Sequence, residues 1–139
     1  MDVKVNVLAI LCAVVSSMIV GSIWYAKGVF GKLWMKLIDM TDKKAKEGCN
    51  KAIAISIVAS LITAYILAHV TYLSNSFFEH SFLQDALTTA FWIWLAFTAA
   101  RIVTHDAFEQ RPVKLTFLTI GNEFVTLMVM GLIIGLFGI

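Results

Sequence analysis

Four continuous apolar runs, each about as long as a bilayer's hydrocarbon core is thick, leave this chain few folds to choose from. They cover approximately residues 5–25, 52–73, 86–104 and 113–137. A helix rising about 1.5 Å per residue needs roughly 20 residues to cross a core of about 30 Å. In lipid the backbone must satisfy its own hydrogen bonds, so a spanning segment is a helix or part of a closed barrel. The runs do not alternate polar with apolar residues, which excludes the barrel. At 60% apolar and 14% charged residues, the composition departs from the roughly 45–50% and 25% of soluble domains. Residues 1–139 therefore read as a single all-α transmembrane domain, a polytopic bundle of four helices.

The basic residues are distributed unevenly. Ten of the eleven Lys and Arg fall between the first two runs (Lys27 to Lys51) or around the turn joining the last two (Arg101, Arg111, Lys114), and only Lys4 lies on the opposite side. The positive-inside rule places those loops in the cytoplasm of an inner-membrane protein, with both termini outside. Topology accounts for the lysines, and without basic-aromatic interleaving no nucleic-acid partner is expected. The first run is too long for a signal-peptide core and is followed by lysines, so it reads as a retained anchor.

Within the first basic loop, Phe30, Leu33, Trp34, Leu37 and Ile38 recur at helical spacing while Lys32, Lys36 and Asp39 fall on other faces. This predicts a short amphipathic helix lying in the membrane interface. Thr41 or Asp42 is placed to cap the second long helix. Cys12 and Cys49 lie at different depths and form no C-x-x-C, so no disulfide chemistry is expected. His69, beside Tyr65 and Tyr72, reads as a hydrogen-bonded interfacial histidine. Adjacent Glu79 and His80 are a poor ligand pair, and no metal or cofactor is expected.

One residue disturbs the apolar pattern of the last run. Glu123 lies ten residues in from Val113, about 15 Å along a helix and near the midplane. A charge there costs between about 3 and more than 10 kcal/mol, so it faces a partner, water or another helix. Ser16 and Ser17 share its depth in the first helix, Ser60 and Thr63 in the second, and Trp94 in the third. At 100° per residue Thr116, Thr119, Glu123 and Thr126 form one stripe, and Trp94, Thr98, Arg101 and His105 another. Two readings follow. In one, Glu123 is protonated or locked to Arg101, Asn122 or a hydroxyl, and fixes packing. In the other, it binds a proton or cation, with Asn122, Arg101, Thr119, Ser16, Ser17 and Trp94 as the surrounding candidates. Gly21, Gly131 and Gly135 are candidate close-packing positions, Gly131 and Gly135 in small-x-x-x-small spacing.

Two segments stand out: Gly21-Ser22-Ile23-Trp24-Tyr25, leading through Phe30-Gly31-Lys32 to Trp34-Met35, and Phe108-Glu109-Gln110-Arg111-Pro112-Val113-Lys114-Leu115, followed by Met130-Gly131 and Gly135. In order and spacing these resemble the small prokaryotic membrane proteins grouped as domain of unknown function 1761. The resemblance covers nearly the whole chain and implies four membrane helices; it implies no activity.

With no nucleophile–base pair, metal-ligand cluster or phosphate loop, the chain is not expected to be an enzyme. The lone enzymatic alternative is a lipid-modifying site around Arg101, His105 and Asp106. The reading favoured is a self-associating bundle that binds or translocates a proton, cation or small amphiphile around Glu123. The alternative is a non-catalytic accessory subunit of a larger membrane complex. The partners expected are the lipid bilayer and a second copy or a membrane protein.

Overall fold

The computed structural model describes residues 3–138. Its elements are α1 (Val7–Trp24), α2 (Gly31–Leu37), α3 (Asp42–Phe78), α4 (Phe82–Ile93), a π-helical segment (Trp94–Ala99), α5 (Ala100–Phe108) and α6 (Val113–Phe137). The helix α4, the π segment and α5 run on as one rod. Together with α1, α3 and α6 it makes four helices long and apolar enough to cross a membrane.

Local chemistry sets the ends of these helices. Asn6 caps α1 by accepting from the Ala9 amide at 3.2 Å, Thr41 caps α3 by accepting from Lys44, and Ser81 caps α4 by accepting from Gln84. Each satisfies an amide that the first helical turn leaves unpaired. Pro112 itself is the N-cap of α6. Past α2, α3 and α5 the chain reverses on Asp39, Glu79 and Gln110, all left-handed with φ of 52–56°. The turn from α1 into α2 is tighter. A Cβ on Gly31 would overlap the Tyr25 carbonyl oxygen, and lie 2.9 Å from the Ala26 backbone. Only glycine fits there, which gives the Phe-Gly-Lys segment a physical reason. Phe30 then packs on Trp24 and Trp34 on Tyr25, with ring centroids 4.7 and 5.3 Å apart, tying the short amphipathic helix to the end of α1.

With 37 residues, α3 is about 55 Å long. The apolar run expected over 52–73 is its middle, and the lysines before it are a helical stalk rather than a loop. The core gathers where α1, α3, α4 and α6 meet, around Ala13, Ala64, Leu67, Ala90, Met130 and Ile134. Two buried acids lock the turns. Asp85, 2% exposed, accepts from Asn75 Nδ2 at 2.8 Å and lies 3.3 Å from His80 Nδ1. Asp106 accepts from the Thr116 hydroxyl at 2.7 Å, with the Arg111 guanidinium 3.8 Å away. His80 thus turns to Asp85 rather than pairing with Glu79, and Asp106 turns to Thr116 and Arg111. His69 departs from expectation too: its ring lies 4.6 Å from that of Tyr65, and its buried Nδ1 has no hydrogen-bond partner.

Candidate functional site: a cavity around Glu123

The centre of the site follows from where α1 and α3 part. The Ser17 hydroxyl lies 2.7 Å from the Val14 carbonyl and 2.8 Å from the Ser60 hydroxyl. Beyond Ser60, toward the basic end, residues 46–59 of α3 are all exposed. Between that free stretch, α1 and α6 lies a cavity of about 1050 Å³, at the upper end of the range of small-molecule sites.

Glu123 is half-buried on its wall beside Asn122, with Ser17, Ser60, Thr63 and Thr126 supplying hydroxyls. Ile93, Leu127 and Met130 form the apolar floor, while Tyr25, Trp34 and Lys44 line the basic end. Among the described residues Glu123 has no ion-pair partner. Asn122 is 8% exposed, and its Oδ1 is buried with no hydrogen-bond partner. A buried amide oxygen left without a protein partner is costly unless something else completes it.

The residues proposed from sequence separate into two groups. Ser17, Asn122 and Glu123 share the cavity wall. Ser16 is turned onto its own helix, its hydroxyl donating to the Ala13 carbonyl at 2.7 Å, and Thr119 likewise donates to the Leu115 carbonyl at 3.0 Å. Trp94 holds α6: its indole N–H donates to the Ile120 carbonyl at 2.9 Å, and its ring lies 4.7 Å from that of Phe124. Arg101 is exposed and makes no ion pair with Glu123. The reason is the π segment. Bonding from i to i+5 takes an extra residue into the turn, so a stripe counted at α spacing breaks between Thr98 and Arg101. Thr98, inside the π segment, lines the cavity; Arg101, past it, faces outward.

The glycines separate in the same way. A Cβ on Gly131 would come within 2.8 Å of Ala90 Cβ, and one on Gly135 within 2.8 Å of Leu83 Cα. Both glycines are therefore spent on the α4–α6 contact. Gly21, expected to pack, lies on the cavity wall with nothing within 4 Å of the place a Cβ would take. Sequence reasoning missed Ser56 and Lys44 as lining residues. The signal for Ser56 was present: Gly48, Ala52, Ser56 and Ser60 repeat at four-residue spacing on one face of α3.

Four apolar helices closed on an acidic, hydroxyl-rich cavity are the features of a polytopic helical bundle compatible with a multi-pass membrane protein. The chain belongs to the family described as protein of unknown function (DUF1761), which matches residues 8–135. No curated protein and no solved structure matches it.

Proposed function

We propose that this protein binds a small amphiphilic cation in the cavity, with Glu123 as the counter-charge, and that such binding underlies passage of the cation or of a proton. The observation that carries the reading is Glu123 itself, an acid with no ion-pair partner among the described residues, facing about 1050 Å³ of space. An apolar floor suits a hydrocarbon tail, and the hydroxyls of Ser17, Ser60 and Thr63 suit a polar head. In the topology proposed from the lysine distribution, the end lined by Tyr25, Trp34 and Lys44 faces the cytoplasm. Binding and translocation, rather than catalysis, are what this set of groups supports.

The test uses a fluorescent alkylamine with the protein in lipid nanodiscs. Wild type is expected to bind saturably, and Glu123→Gln to bind at least about tenfold more weakly, as losing about 1.4 kcal/mol requires. Equal affinity in a folded Glu123→Gln variant defeats the proposal. Uptake driven by a pH gradient in vesicles then separates passage from binding alone.

A further inference from the structure

The Ser17–Ser60 contact, 2.8 Å between hydroxyls, sets the register between α1 and α3. The helices are antiparallel, since Lys27 just beyond α1 meets Asp42 at the start of α3 at 2.7 Å. Stepping four residues at a time away from the basic end places Ala13 opposite Ala64, then Ala9 opposite Ala68. All four are buried, at 0–5% exposed. This half is a closed seam of small residues, the kind that lets two membrane helices approach closely.

The same step in the other direction places Gly21 opposite Ser56. The small residues continue as far as Gly21 on α1 and through Ser56, Ala52 and Gly48 on α3, yet the seam is open. Tyr25, the next step, follows the end of α1. Ser56 and Ala52 are exposed, a Cβ at Gly21 or Gly48 would meet nothing within 4 Å, and the space between is the cavity lined by Glu123 and by Asn122, whose Oδ1 is unpartnered. A seam with small residues facing one another on both sides of Ser17–Ser60, closed on one side and parted on the other, has a second way to pack.

We propose that α3 is a hinged wall that pivots at Ser17–Ser60, closing Gly21 onto Ser56 and sealing the cavity from its open side. This supplies the gate for the site and rests on the binding reading only for what the gate controls. Within a bilayer neither arrangement gains hydrophobic energy over the other, because lipid tails are as apolar as the helix faces they cover. The balance is left to packing and a few polar contacts. A ligand that occupies the cavity shifts it toward the open form by its differential affinity for the two states.

The experiment is cysteine crosslinking in membrane vesicles, with Cys12 and Cys49 replaced by alanine. A Gly21→Cys/Ser56→Cys pair probes closure, since a disulfide requires Cβ atoms about 3.8 Å apart. An Ala13→Cys/Ala64→Cys pair, in the closed half and away from the cavity lining, reports an intact fold. Under copper-phenanthroline both pairs are expected to lose their thiols within single chains, and saturating alkylamine is expected to slow the 21/56 pair at least fivefold while leaving 13/64 unchanged. Closure at 13/64 with none at 21/56 overturns the hinge. So does crosslinking of 21/56 between chains, which makes the groove a seat for a second copy. A 21/56 crosslink that forms within one chain and ignores the amine supports the hinge and counts against the binding reading, so the two fail separately.

Discussion

The end of the bundle away from the lysine-rich stalk and the end beside it are built from the same kind of sequence and packed in opposite ways. At the first, Gly131 and Gly135 bring α6 against Ala86, Ala90 and Leu83 of α4, with no room for a Cβ. At the second, Gly21 and Gly48 have open space beside them, and residues 46–59 of α3 touch little else. Small residues at four-residue spacing give a helix the capacity for close approach. Whether the approach happens is decided by what else holds the helices. At the packed end, buried Asp85 ties α3 to α4. At the other, Tyr25 and Trp34 pack together at the cavity's edge, and an exposed ion pair joins the foot of α3 to Lys27.

The sharpest test of that contrast compares equivalent substitutions at the two ends. Gly135→Val forces atoms into the Leu83 backbone, and overpacking of that kind costs about 1–3 kcal/mol. Gly21→Val enters open space and is expected to change stability by less than about 0.5 kcal/mol, in the range of unconstrained surface changes. Reversible denaturant unfolding in mixed micelles measures both. Equal losses would mean that the open half is as tightly packed as the closed one.

Next in size is the lock at the packed end. Asp85→Ala removes one of the two acceptors of Asn75 Nδ2, leaving the His80 carbonyl, and a hydrogen bond of this kind contributes about 0.5–1.5 kcal/mol net. Hydrogen exchange is expected to rise at the α3–α4 turn and stay unchanged around Lys44. Loosening confined to the α3 stalk instead would show that Asp85 is not what holds the closed half.

Much of this architecture could be read before any coordinates. The four spans, the amphipathic helix between the first two, the Thr41 cap and the depth shared by Ser17, Ser60 and Glu123 all follow from helical periodicity and hydropathy, which act locally. Local rules also explain the misses. A single π turn is invisible to a count made at α spacing, and it sends Arg101 away from Glu123. Ser16 and Ser17 are neighbours in sequence and equal in depth, but only the rotation of α1 against α3 decides that Ser17 meets Ser60 while Ser16 bonds to its own helix. Asp85 stands at the edge of an apolar run, where a solvated charge is the simplest reading. Its burial depends on Asn75 and His80 arriving from across a turn. The opening between α1 and α3 is likewise not legible, because the small-residue repeat is the same on both sides of Ser60.

The pivot is expected to be weaker than either lock. Hydrogen bonds between membrane helices average about 0.6 kcal/mol, so Ser60→Ala should lower stability by roughly that much. In the crosslinking assay it should also alter the rate of the 21/56 pair, because it loosens the point about which α3 turns. A stability loss with no change in that rate would leave Ser17–Ser60 as ordinary packing.

The smallest effect concerns the foot of α3, and its sign can be worked out. Lys27 donates a hydrogen bond to the Asp42 carboxylate and adds its charge, holding the Asp42 carboxyl below its usual value. A depressed acid contributes its stabilisation above the pKa it has when unfolded, about 3.9, and loses it as pH falls through the folded value. Neutral pH therefore leaves the tether intact, and acid releases it. Both partners are exposed, so salt weakens the pair as well. A spin label at Lys46→Cys, with the native cysteines removed, is expected to gain mobility below about pH 4 and in high salt. Lys27→Met should give the mobile spectrum at every pH. If the label is as restrained in Lys27→Met as in the parent, something other than this ion pair sets the position of the stalk.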